Sequence, residues 1–479
     1  MESYLGVKGY TLMKSSMSVR EQEIVRENLM ARPFMPGSPT KLPAFPIYRE
    51  SNSKFYIPRY YGIENYGPPQ ENKLLSDQAL RIDVPFAGEM RDYQKQIVNT
   101  YMSHLPEGGG LLEIPCGRGK TVMGLNIISR LKYKTLVIVH KGFLLNQWVE
   151  RIEQFLPNAR IGRIQGQVVD IEDKDIVIGM LQSLSMKDYP TSMFSSFGLT
   201  IVDEVHHIAA EVFVRSLFKI VTPYVLGLSA TMQRKDGLTK VFKMFLGDVI
   251  YKEKTKQDHD VLVRAIQFKS ADDDFNEIVY DFRGNPQFST MISKLCAFPD
   301  RVDFLLKAIK RTFLEREGQQ IIVLAHNKNL LTALYKGIDD DSDNYASVGY
   351  YVGGMKEKAL KESEGKNVII ATYSMASEAL DIKTLTTLVM ATPKTDVTQS
   401  IGRILRTKHS QPLVIDVVDQ HELFQKQWLK RRNYYRKQNY KIVQSDNFGF
   451  FKDEWAEVKN TRKAIKKAED PLLVGKCLI

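Results

Sequence analysis

The sequence predicts an α/β protein with two tandem parallel-sheet domains behind a small N-terminal domain. Three observations predict it. Within 110–252, short apolar runs alternate with helix-like stretches: GLLEIP, TLVIVH, DIVIGM, LTIVD and VLGLS. From about 320 the alternation restarts with QIIVLA, NVIIAT, TTLVMA and PLVID. The runs are continuous and rich in β-branched residues, as expected of buried parallel strands joined by crossover helices. Two such series imply two domains of similar construction. A length of 479 residues, at roughly 150 per domain, leaves room for a third.

In order along the chain, residues 1–88 are rich in Pro, Tyr and polar residues and read as an accessory domain. Seven aromatics between Lys41 and Tyr66 suit the core of a small β-rich fold, with a base-stacking surface as the alternative. Residues 89–253 form the first α/β domain. Residues 254–318 form a linker or insert and the start of the second domain, with a helix expected around Arg301–Glu317. Residues 319–444 form the second α/β domain, and 445–479 a lysine-rich tail.

Composition excludes several classes. Charged residues are 26% of the chain, close to the ~25% of ordinary globular proteins. No apolar run approaches the ~18–20 residues that cross a bilayer, so no membrane partner is expected. An acid at position 2 and no apolar core argue against a secretory signal. Three scattered cysteines (Cys116, Cys296, Cys477) exclude a disulfide framework and point to an intracellular setting. A net charge of +11 favours polyanionic partners.

The first strand of the first series ends at Pro115, followed by Cys116-Gly117-Arg118-Gly119-Lys120-Thr121. A glycine-bearing turn between strand and helix lets backbone N–H groups approach phosphate oxygens, and the helix N-terminus adds positive charge. Lys120 would meet the β- and γ-phosphates of ATP and Thr121 would hold Mg²⁺. The strand LTIV ends in Asp203-Glu204-Val205-His206. Asp203 at a parallel strand's carboxyl end suits a second Mg²⁺ contact, and Glu204 can orient and deprotonate water. The pair of motifs points to ATP hydrolysis. His140, His259, His326 and His421 show no ligand spacing, so no further metal is expected.

In the second series, Gln399-Ser400-Ile401-Gly402-Arg403-Ile404-Leu405-Arg406 places Arg403 and Arg406 on one helical face. Such guanidinium groups can stabilise charge on a transferring phosphoryl group. Ser229 and Thr231 follow VLGL, Asp381 follows NVIIAT, and Arg91-Asp92-Tyr93-Gln94 precedes the phosphate loop, where Gln94 could read the adenine edge.

This run of motifs, over roughly 89–420, resembles the superfamily 2 helicases. Arg234-Lys235-Asp236-Gly237 looks like the excision-repair and transcription-factor DNA translocase branch. Phe282-Arg283-Gly284-Asn285-Pro286 looks like the transcription and transcript-release helicases of large cytoplasmic DNA viruses. The resemblance implies paired RecA-like domains, ATP in their cleft and nucleic acid tracked across both. It implies that His206, Ser229, Thr231 and Gln399 couple nucleotide to nucleic acid. It also admits RNA polymerase or other transcription proteins as partners, in a virion or infected cytoplasm, or a nucleus if the source is cellular. Two departures stand out: Glu378-Ala379-Leu380 replaces a glycine before Asp381, and His140-Lys141 replaces Pro-Thr after the second strand, where Lys141 could meet a phosphate.

Residues 421–441 interleave seven basic residues with Trp428, Tyr434, Tyr435 and Tyr440. Lys430, Arg431 and Arg432 are candidate phosphate contacts. The alternative is a helix packing its aromatics on the second domain with lysines in solvent. The leading function is an ATP-dependent DNA helicase or translocase. An RNA helicase shares every ATPase motif. A non-hydrolysing scaffold would be expected to lack Glu204 or an arginine of the 399–406 block, and a small-molecule kinase leaves the second series unexplained.

Overall fold

The computed structural model describes residues 2–33, 43–75, 79–115, 117–205, 210–232, 238–253, 260–378, 380, 382–405, 407, 409 and 411–458. The chain divides into two compact units, Met1–Lys256 and Gln257–Ile479.

The first unit is built on an eight-stranded sheet. Its order is Val168–Asp170, Ile161–Gln165, Ile176–Met180, Thr135–Val139, Leu199–Asp203, Tyr224–Ser229, Gly109–Glu113, Val249–Lys252. All neighbours pair in parallel except the first two. The five expected runs supply the inner strands, and Thr135–Val139, Ile176–Met180 and Leu199–Asp203 are buried at every position. Burial on both faces is why they read as unbroken apolar runs. Because they are parallel, Glu113, Val139, Asp203 and Ser229 end at one edge, where ligand-binding loops of α/β sheets gather.

A five-stranded sheet at the N-terminus, in the order Arg49–Glu50, Lys54–Ile57, Gly9–Met13, Ser3–Gly6, Glu71–Asn72, belongs to the same unit. Tyr10, Leu12, Phe55 and Ile57 are buried in one apolar cluster with Leu217, Phe218 and Phe245. Arg59 donates to the Pro223 carbonyl at 2.7 Å. Phe45, Phe55 and Tyr61 are core residues, while Tyr48, Tyr60 and Tyr66 pack partly buried against that cluster.

The second unit repeats the plan: Val348–Tyr351, Val368–Thr372, Ile321–Ala325, Thr387–Met390, Leu413–Asp419, Leu262–Phe268, Lys441–Asp446, Ala456–Glu457, parallel except the last pair. The sheet draws Leu262–Phe268 from the 254–318 stretch expected to hold the start of this domain, and continues past the expected limit at 444 to Glu457. Leu262–Phe268 lies between Leu413–Asp419 and Lys441–Asp446. Its polar positions hid it: Arg264 is ion-paired with Glu315, so a charge sits on a covered strand without an orphaned group. Residues 441–446 and 456–457 lie in the sheet, whereas the rest of the expected tail, 459–479, is outside the described residues. The helix expected near Arg301 spans Pro299–Leu314.

Two fully buried ion pairs brace this sheet. Arg301 donates to both Asp419 oxygens (2.6 and 2.9 Å) and to the Ala391 carbonyl (2.9 Å). Arg431 donates to both Asp416 oxygens (2.8 and 2.9 Å) and to the Lys394 carbonyl (2.7 Å). Both carboxylates lie on Leu413–Asp419, and both arginines reach the segment that leads into the 399–406 motif. Losing one partner of such a pair leaves an uncompensated buried charge.

Candidate active site

The phosphate loop leaves strand Gly109–Glu113 and enters helix Lys120–Leu131. Gly117 and Gly119 have φ of +79° and +80°, a region side chains rarely adopt. A Cβ at Gly119 would also lie 2.4 Å from Gln94 Nε2 and push that amide off the Arg118 carbonyl. The loop is held from helix Asp92–Ser103. Tyr93 Oη and Gln94 Nε2 each donate to the Arg118 carbonyl at 3.1 Å, and Gln94 Oε1 accepts from the Arg91 amide at 3.0 Å. The Arg118 guanidinium lies 4.0 Å from the Tyr93 ring centre and pairs with Glu253. Gln94, expected at an adenine edge, is buried with its amide on the loop backbone. Cys116 lies outside the described residues.

Strand Leu199–Asp203 delivers the carboxylates. Asp203 is 6% exposed. Its Oδ2 accepts from Trp148 Nε1 at 2.8 Å and its Oδ1 from the Glu204 amide at 3.0 Å. Burial, and next the Glu204 charge, push the Asp203 carboxyl up to about 6, against the opposing pull of Trp148 and Lys120. Glu204 itself has φ +49°. A non-glycine residue there stores on the order of 1–3 kcal/mol of strain, and such outliers gather at functional sites. The bend brings Glu204 Oε1 to 3.2 Å from Lys120 Nζ, which also donates to the Ile114 carbonyl at 3.4 Å. Two motifs far apart in sequence thus meet at one point.

Other expected residues fall along the same edge. The buried Ser229 donates to the Thr231 carbonyl at 2.7 Å, and the Ile114 amide donates to the Ser229 carbonyl at 2.8 Å, tying that strand end to the phosphate loop. Thr121 is in the first turn of its helix, and Lys141 caps helix Gly142–Phe155 at the end of Thr135–Val139. A threonine hydroxyl and an aspartate carboxylate are hard oxygen donors, the set Mg²⁺ takes beside nucleotide phosphates, and a glycine-lined loop at a helix start suits the phosphates. The residues present fit both groups. His206 and the 234–237 segment lie outside the described residues.

In the second unit, Gln399 is half-buried on helix Thr398–Gly402. Arg403, expected to reach a phosphoryl group, is 5% exposed and its Nη1 donates to the Leu380 carbonyl at 2.7 Å. Asp381 and Arg406 lie outside the described residues. The phosphate-contact expectation for Arg431 is corrected. Helix Glu422–Lys437 buries Phe424, Trp428, Arg431 and Tyr435, and Arg431 is held by Asp416. A guanidinium at 1% exposure has no path to a polyanion. Lys430 is exposed and Arg432 half-exposed. Phe424, Trp428, Tyr435 and Tyr440 are thus buried in the second unit, as in the alternative reading, while Tyr434 is half-buried.

Sequence reasoning missed Trp148 as a partner of Asp203, the Tyr93–Arg118–Glu253 bracket and Asp416 beneath Arg431. Only the first left a trace, the Gln-Trp pair closing the apolar stretch after TLVIVH.

Comparison with known proteins agrees with this geometry. Residues 87–234 match the family model described as "Type III restriction enzyme, res subunit". A protein of Acanthamoeba polyphaga mimivirus, named as an ATP-dependent RNA helicase, is 33% identical over 469 residues, covering 96% of this chain and 90% of the relative. A protein of African swine fever virus (isolate Pig/Kenya/KEN-50/1950), also named as an ATP-dependent RNA helicase, is 27% identical, covering 73% of each chain. The DNA 3'-5' translocase XPB2 of Sulfurisphaera tokodaii is 33% identical over 169 residues, covering 35% of this chain and 37% of that one. Paired parallel-sheet units, a phosphate loop meeting a strand-end Asp-Glu pair, and a near-full-length relative agree: the chain belongs to the superfamily 2 helicases, enzymes that hydrolyse ATP to act on nucleic acid.

Proposed function

We propose that this protein is a DNA-stimulated ATPase that translocates along DNA in viral transcription, in elongation or transcript release, or in repair. The observation that carries the catalytic part is the 3.2 Å approach of Lys120 to Glu204 beside a buried Asp203. Lys120 and the amides of 117–121 bind the β- and γ-phosphates. Glu204 orients the attacking water and accepts its proton as the new P–O bond forms and the bond to the β-phosphate breaks, releasing ADP and phosphate. Thr121 and Asp203 would hold Mg²⁺, which when bound neutralises charge on the phosphate oxygens. Arg406 is assigned to phosphoryl charge on the strength of its motif, and Arg403 to holding the helix that carries Gln399. Asp381 is assigned to the ribose, and His206, Ser229 and Thr231 to coupling nucleotide with nucleic acid. Lys141, Lys430 and Arg432 remain candidate phosphate contacts, and RNA polymerase or associated transcription proteins candidate partners.

DNA is supported by the likeness to the XPB2 translocase, which covers 35% of this chain. The second reading, an RNA helicase, is favoured by the name of the mimivirus relative. ATPase stimulation measured in parallel with single-stranded DNA, duplex DNA and RNA tests both. The first reading expects DNA to give the larger rise. Stimulation by RNA alone would establish the second.

A further inference from the structure

We propose that Trp148 is a positioning residue for phosphoryl transfer: its indole N–H, together with the Glu204 amide, fixes the Asp203 carboxylate in one orientation towards a divalent cation. The inference rests on the reading of Asp203 as a cation ligand. An aspartate's terminal torsion is broad and roughly two-fold, so a strand-end carboxylate must be set by its neighbours. Here each oxygen has a donor, Trp148 Nε1 on Oδ2 (2.8 Å) and the Glu204 amide on Oδ1 (3.0 Å). Each oxygen keeps acceptor capacity for a further partner, while the plane of the group is set. The indole N–H can only donate, so it holds the carboxylate without becoming a ligand.

The ring is placed for this from two sides. Trp148 is 1% exposed on helix Gly142–Phe155, in the apolar stripe of Leu144, Leu145 and Ile152. Its far edge meets Gly124 on the helix that follows the phosphate loop, where a Cβ would come within 3.2 Å of the ring. One side chain therefore touches both the phosphate-loop helix and the carboxylate. Packing alone would account for the ring. It does not require the N–H to end on a carboxylate of the reaction centre.

The test removes the donor and keeps the shape. Replacing Trp148 with benzothienylalanine exchanges N–H for sulfur within the same bicycle, and Trp148→Phe is the genetic counterpart. The readout is equilibrium binding of a fluorescent ADP analogue titrated with Mg²⁺, without turnover. Both variants should weaken the Mg²⁺ dependence by about 10- to 100-fold, the usual effect of losing a group that orients a metal ligand. Nucleotide affinity without Mg²⁺ should stay at the wild-type value, and kcat should recover in excess Mg²⁺. Asp203→Asn separates the two layers. If that variant keeps wild-type Mg²⁺ dependence, the reading of Asp203 fails. If it loses that dependence while a folded benzothienylalanine protein keeps wild-type Mg²⁺ affinity, Trp148 only fills core and the proposal is overturned.

Discussion

Replacing Arg431 by methionine should destabilise the second unit and leave the salt dependence of nucleic-acid binding unchanged. Asp416 accepts two bonds from Arg431 and one from Tyr435 Oη (2.8 Å), and both charged side chains are at most 1% exposed. Removing the guanidinium leaves a buried carboxylate with, among the described residues, the Tyr435 hydroxyl as its remaining side-chain donor. Such a loss costs about 3–5 kcal/mol. At about 2–4 °C per kcal/mol for a unit of this size, the unit's transition should fall by about 6–20 °C. Scanning calorimetry of the full chain reads this directly. The double variant Arg431→Met with Asp416→Asn should regain most of the loss, because the buried charge has gone and the amide can still accept from Tyr435. Lys430→Ala should do the opposite: an unchanged transition, with a salt slope lower by about one unit if the lysine meets a phosphate. If the Arg431→Met protein melts like wild type and binds nucleic acid with a reduced salt slope, the burial argument is wrong.

Two further results are expected. Lys120→Ala should weaken ATP binding and turnover together, whereas Glu204→Gln should keep binding and lose turnover; near wild-type hydrolysis in the glutamine variant would refute the assignment of the base. Asp203 should make the metal-free protein less stable as pH rises. Its carboxyl is raised from 3.8 to about 6, so the fold holds the proton more tightly than the unfolded chain does. The stability from that proton is complete below about pH 4 and lost by about pH 6. Over that window wild type should lose up to about 3 kcal/mol relative to Asp203→Asn, at 1.36 kcal/mol per pKa unit. A pH-independent difference in chelator-treated samples would refute it.

Much of the site was legible because phosphate chemistry constrains local sequence. A loop that must bring backbone to phosphate needs glycines in series, and Gly117 and Gly119 do adopt positive φ. A carboxylate at a parallel strand's end announces itself as LTIV followed by Asp-Glu. The strands that escaped notice, such as Ile161–Gln165, Leu262–Phe268 and Lys441–Asp446, interleave polar residues with apolar ones and lie nearer the margins of their sheets.

The two α/β units, the order of the motifs and the residues that could bind ATP are all legible along the chain, because each follows from a local period or a short run of residues. Tertiary structure decided which of those residues meet and what the basic positions do. The spacing of Phe424, Trp428, Arg431 and Tyr435 puts Arg431 on the apolar face of its helix and Lys430 and Arg432 beside it, but nothing within residues 421–441 names the partner that would neutralise it there. The helix turns Arg431 inward onto Asp416, on a strand whose apolar run conceals its acids, and the pairing sets its role. Trp148 likewise reads as one more core residue of an amphipathic helix. Only the crossing of that helix over the sheet places its N–H on Asp203. Charge neutralisation and hydrogen bonding act across space, between side chains the chain brings together late, so no local window of sequence records them.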